Sequence, residues 1–167
     1  MELPLENRLI NHFNKEELIS SINKSDDLFN QMVEITLSNR NPKSWRAPWI
    51  INHTIHKNDS RIAPHFEAFV KAIDGKKDGY QRELLKIIDK IDIPEEFEGI
   101  LFDKCSSIWE KPKKSPATRI VAFKIMLKIA RKYPDLKNDI SFLTQKHYTE
   151  TLSPGIQKSL KRMIKEE

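Results

Sequence analysis

Apolar residues along this chain recur every 37 to 38 residues, and that recurrence limits the fold more than any single motif does. Sliding residues 84–91 forward by 38 places Leu84, Leu85, Ile87, Ile88 and Ile91 on Ala122, Phe123, Ile125, Met126 and Ile129. A second step of 38 carries Ala122, Ile125 and Met126 onto Leu160, Met163 and Ile164, while Phe123 meets Lys161. A backward step of 37 gives Ala47, Pro48, Ile50, Ile51 and Thr54. Within each block the apolar positions follow the roughly 3.6-residue spacing of one helix face. A period of this length holding two such blocks describes stacked helix pairs, each burying its apolar faces against its neighbours.

From residue 26 the chain divides into eight helical segments. Those at Asp26 to Ser38, 44–57, Ser60 to Asp74 and 78–92 are followed by one opening with Pro94, then by 115–132, Asp135 to Thr151 and 153–165. Their boundaries have local causes. Gly75 stops the third segment, because glycine adopts the left-handed conformation that ends a helix. Ser115-Pro116 and Ser153-Pro154 pair a capping hydroxyl with a proline at the first helical position, where no N–H is missed. Glu95 and Glu96 suit the positive end of a helix. The seventh segment, with Leu136, Ile140, Leu143 and Leu152, is the least regular. Pro4 to Phe13 and Lys15 to Asn23 read as two shorter helices closing the N-terminal end. Only four glycines occur and no apolar-polar alternation is sustained, so a β-sheet is not expected. The expected core includes Phe66, Phe69, Leu84, Ile88, Leu101, Cys105, Trp109, Phe123, Ile125 and Met126.

The stretch from Ala117-Thr118-Arg119-Ile120-Val121-Ala122-Phe123-Lys124 to Tyr133-Pro134-Asp135-Leu136 resembles the second helix of a HEAT repeat running into the next repeat, and Trp45-Arg46-Ala47 is similar. The likeness covers roughly residues 26 to 165 and is to short bacterial HEAT-like proteins of unassigned activity. It implies an all-α, right-handed α-α superhelix of about four antiparallel helix pairs in one domain over 1–167, with residues 1–25 as a helical cap. It also implies that the second helix of each pair lines the concave face. Such arrays serve as scaffolds, as transport adaptors and occasionally as enzymes, so fold alone does not name an activity.

Several classes are disfavoured. The longest apolar run, Ile120 to Phe123, is far too short to span a bilayer, so no membrane association is expected. Glu2 and Glu6 stand where an export signal needs basic and apolar residues. Cys105 is the sole cysteine, which excludes an internal disulfide and fits a reducing cytoplasm. No glycine-rich phosphate loop is present, and no cofactor is expected.

Charge divides unevenly between the helices. Summed over the four pairs, the first helices are net acidic and the second helices net basic, although 78–92 alone carries one excess acid; residues 115–132 hold five basic residues and no acid. Superposing the second helices by their apolar positions puts Trp49, Lys86, Lys124 and Arg162 in one column, and His53, Lys90, Lys128 and Glu166 in the next. Lys124, Lys128 and Arg131 share one stripe of the sixth segment. Together Trp49, His53, Lys86, Lys90, Lys124, Lys128, Arg131 and Arg162 outline a basic groove with little acid nearby, Asp89 being the only one beside the columns. Such a groove attracts an acidic protein segment or a phosphate backbone. The leading expectation is a non-catalytic, monomeric interaction module for an acidic protein or peptide. The first alternative is a nucleic-acid-binding protein sharing its architecture with alkylpurine DNA glycosylases, although their catalytic cluster does not map onto this chain. The second is a small metal-dependent enzyme using His53 and His56, with Asp59 or His65 nearby. Trp45 and Trp49, four apart on one helix, are suited to stacking on bases or gripping a peptide, or to packing on the N-terminal cap.

Overall fold

Four of the described helices begin where a side chain satisfies otherwise unpaired N–H groups. Asn14 accepts from the Glu17 amide (3.1 Å) and Ser25 from the Leu28 amide (3.2 Å). Ser115 accepts from the Thr118 amide (3.2 Å) and Ser153 from the Ile156 amide (3.4 Å), so both serine-proline openings act as the sequence predicts. The computed structural model describes residues 1–38 and 43–166, which contain helices and turns and no strand. The chain divides into two compact units, Met1–Asp92 and Ile93–Glu167.

The N-terminal unit holds α1 (Leu5–Ile10), α2 (Lys15–Lys24), α3 (Asp26–Ser38), α4 (Arg46–Thr54), α5 (Phe66–Ala72) and α6 (Asp78–Asp89). Helices α1 and α2 pack on α3 and α4 as the expected cap. Beyond them, α3 touches both α4 and α5, while α6 touches both α4 and α5, so first and second helices form two layers. The C-terminal unit holds α7 (Glu95–Trp109), α8 (Pro116–Ala130), α9 (Lys137–Leu143), α10 (Lys146–Thr149) and α11 (Pro154–Lys165). There α8 is the central element, packed against α7, α9 and α11.

Two segments depart from the expected helices. The third begins as helix only at Phe66. Before it, the Asp59 carboxylate accepts from the Arg61 amide (3.1 Å) and the Asp59 carbonyl from the Ile62 amide (3.1 Å), forming a turn. A short 3-10 stretch, Ala63–His65, follows. The seventh is not one helix but a 3-10 turn, Pro134–Leu136, then α9 and α10. Thr144 explains part of the break: its hydroxyl donates to the Ser141 carbonyl (2.7 Å), competing with the helical ladder. Gly75 adopts φ +70° just beyond α5, the stop that the sequence predicts.

Every expected core residue is buried, including Trp109 and Cys105. A second, polar repeat lies among them. Gln81 donates to the Ile73 carbonyl (2.9 Å) and Arg119 to the Trp109 carbonyl (2.7 Å). Gln157 donates to the Leu152 and Thr149 carbonyls (3.1 and 3.3 Å). These three residues stand 38 apart in sequence. Each reaches the end of the first helical segment of its own pair, where carbonyls lack an intrahelical donor. Arg119 goes furthest. Fully buried, it also donates to Thr151 Oγ1 (2.9 Å) and the Tyr148 carbonyl (2.6 Å), with its guanidinium 4.8 Å from the Trp109 ring centroid.

Candidate interaction surface

In the N-terminal unit, the neighbouring helices α4 and α6 bring Trp49, His53, Lys86 and Lys90 to one region. Trp49 is half-buried and packs against His53, with ring centroids 4.2 Å apart and the planes tilted by 48°. His53 is exposed and donates from Nδ1 to the Trp49 carbonyl (2.8 Å). Lys86 is exposed, and Lys90 donates to the carbonyl of Asn52 across the α4–α6 contact. Burial, and then the charge of Lys86, hold the Lys90 ammonium below its ordinary value.

Here the structure corrects one expectation. Asp89 is not the only acid beside these cations, because Glu83 is buried at the same place, 3% exposed. Its carboxylate accepts from Asn52 Nδ2 (2.9 Å) and Lys86 Nζ (3.2 Å), and Arg82 Nε lies 3.4 Å away. A buried carboxylate needs such partners, since desolvating it alone is costly. Lys86 is therefore partly neutralised by its own helix.

The C-terminal unit is different. Lys124, Lys128 and Arg131 lie along α8 and its end, Lys124 and Arg131 exposed and Lys128 half-buried. Helix α11, packed against α8, presents Arg162, Lys158, Lys161 and Lys165, all exposed. Neither 115–132 nor 153–165 contains an acid. Two of the basic residues counted from sequence do not belong to this surface. Arg119 is internal, and Lys132 donates to Glu98 of α7, a buried carboxylate that also accepts from the Tyr133 hydroxyl. Those bonds hold the Glu98 carboxyl below the usual carboxylate range.

The remaining candidates resolve simply. Trp49 packs against Phe13 of the cap (centroids 6.0 Å apart), whereas Trp45 stays 46% exposed. His56 faces Asp59 (3.6 Å), but Asp59 is held chiefly by Arg61 (2.8 Å), which brings its carboxyl down to about 2. Among the described residues, no group of three or more His, Cys, Asp or Glu side chains is arranged to hold a metal. Cys105 is fully buried in the α7 core. No helix among the described residues is long and apolar enough to cross a membrane.

Stacked helix pairs joined by short turns, with second helices side by side within each unit, define an α-α solenoid of the kind that works through its surfaces. The family model described as HEAT repeat domain matches residues 5–167, and the chain belongs to that family. HEAT repeats generally mediate protein interactions. No curated protein and no solved structure gives a significant match.

Proposed function

We propose that this chain is a non-catalytic interaction module that takes an acidic protein segment on the second-helix face of its C-terminal unit. The observation that carries the reading is the pair of neighbouring helices α8 and α11, which together bring Lys124, Arg162 and the exposed lysines of α11 to the surface of one unit. A single exposed ion pair contributes little, about 0–1 kcal/mol, so recognition must come from many cations acting together on one chain of carboxylates. Lys124, Lys128, Arg131 and Arg162 are the contacts expected to matter most. In the N-terminal unit, Lys86, Lys90, His53 and Trp49 are expected to contribute less, because the Glu83 carboxylate already accepts from Lys86.

A poly-glutamate peptide tests the proposal, with binding followed by calorimetry across a salt series. Changing Lys124, Lys128 and Arg162 together to Glu should abolish binding and leave thermal stability nearly unchanged. Undiminished peptide binding by that variant would place the contact elsewhere. Duplex DNA binding with a steep salt dependence, and no peptide binding at low salt, would replace the acidic segment with a phosphate backbone.

A further inference from the structure

Two large aromatic side chains are exposed on the N-terminal unit, with a cation between them. Trp45 and Phe13 are 46% and 38% exposed, although both are large apolar side chains. Arg46 sits between them, its guanidinium 4.7 Å from the Phe13 ring centroid and 5.9 Å from that of Trp45. It is fixed there because its Nη1 donates to the carbonyls of Leu9 and Ile10 (both 3.1 Å), capping α1. Phe13 in turn abuts Trp49, and Lys15 Nζ lies 5.1 Å from the Trp49 ring. The nearby acid Glu17 is taken by Arg8 (3.0 Å). Phe13 and Trp49 are thus packed together before any ligand arrives, with the Arg46 charge between Phe13 and Trp45.

We infer that Phe13, Trp45 and Trp49, with Arg46 and Lys15, form a stacking platform for single-stranded nucleic acid. A base offers a flat π-face to an exposed ring, and the flanking phosphates meet the cations. Rings that stand out from the surface suit this contact. An apolar peptide anchor instead needs a hole to fill, so that its side chain is fully desolvated. Because Phe13 and Trp49 already pack together and Arg46 is fixed by two hydrogen bonds, stacking on this platform leaves mainly Trp45 to be ordered. The platform lies wholly within the N-terminal unit and does not rest on the acidic-segment reading.

Tryptophan fluorescence of the full chain, titrated with oligo(dT) and oligo(U) of roughly ten nucleotides, tests this. The expected result is a saturable quench that weakens with salt. Trp45→Ala should bind at least about tenfold more weakly, the loss of about 1.4 kcal/mol of stacking. Trp45→Phe should recover most of that loss, and neither change should move the melting temperature. The Lys124, Lys128 and Arg162 reversal should preserve the difference between the native chain and Trp45→Ala, which separates this platform from the basic face. Absence of quenching at about 50 mM salt would overturn the inference, as would a Trp45→Ala variant that binds like the native chain. An acidic aromatic peptide that binds in a Trp45-dependent way, where oligonucleotides do not, would likewise overturn it in favour of a protein partner.

Discussion

Helices α6 and α8 occupy equivalent places in successive repeats, 38 residues apart, yet they handle charge in opposite ways. On α6 the inward polar residue is neutral, Gln81, and a carboxylate, Glu83, is buried two positions later beside Lys86. On α8 the inward residue is a cation, Arg119, and the position matching Glu83 is Val121. The net charge of a helix is therefore a poor guide to its surface. Arg119 counts as basic but faces carbonyls, and Lys86 counts as basic but faces Glu83. Two substitutions at repeat-equivalent sites separate a helix that buries a carboxylate beside its lysine from one whose own sequence offers no acid.

Unfolding experiments can break or sharpen this contrast. Phe123, fully buried on α8 and 4.6 Å from Trp109 between ring centroids, sets the upper end: Phe123→Ala should cost about 3–5 kcal/mol in denaturant titrations. Arg119→Ala should cost about 3 kcal/mol, because it strands the Trp109 and Tyr148 carbonyls in the interior. Gln81→Ala, which strands only the Ile73 carbonyl, should cost about 1–2 kcal/mol. Equal costs at the two sites would show that the repeat treats them alike and that the contrast is superficial.

Exchanging the charge pattern should act on binding. Val121→Glu places a carboxylate three residues before Lys124, as Glu83 stands before Lys86, and should weaken poly-glutamate binding about threefold. Glu83→Gln should strengthen binding to the N-terminal unit by a similar factor at a small cost in stability. The smallest effect is on the acid side. Arg61 holds the Asp59 carboxyl at about 2, below its ordinary 3.8, so its contribution to stability is full above the ordinary value and is lost as pH falls toward 2. Asp59→Asn should therefore flatten the acid limb of the melting-temperature profile below about pH 4, while leaving its shape at neutral pH. An unchanged acid limb would show that the Asp59–Arg61 pair is no firmer in the native chain than in the unfolded one.

The fold was legible in this sequence because burial at helical spacing leaves a periodic trace. Leu84, Ile88, Phe123 and Met126 follow it and are all in the core. Serine-proline openings were legible for the same reason, since capping needs particular atoms at a particular offset. Polar residues facing inward left no such trace. Gln81, Arg119 and Gln157 keep the 38-residue period, but a search for apolar recurrence passes over them, and charge counting assigned Arg119 to the surface. Glu83 was missed because its burial depends on Asn52, 31 residues away on another helix. The shortened α5 and the break between α9 and α10 depend on side chains such as Asp59 and Thr144 bonding to nearby backbone, which helical spacing does not register.

The broken stretch after α8 is fastened in an unusual way. Its carbonyls at Leu143 and Tyr148 are held by the Trp109 indole N–H (2.8 Å) and the Arg119 guanidinium, and Thr151 by that same guanidinium. A segment tied down by two side chains from outside cannot fray one turn at a time from an end. It opens cooperatively, when both fastenings release, as a unit smaller than the whole fold. Amide hydrogen exchange from about Leu143 to Thr151 therefore reports on two residues that lie outside the segment itself.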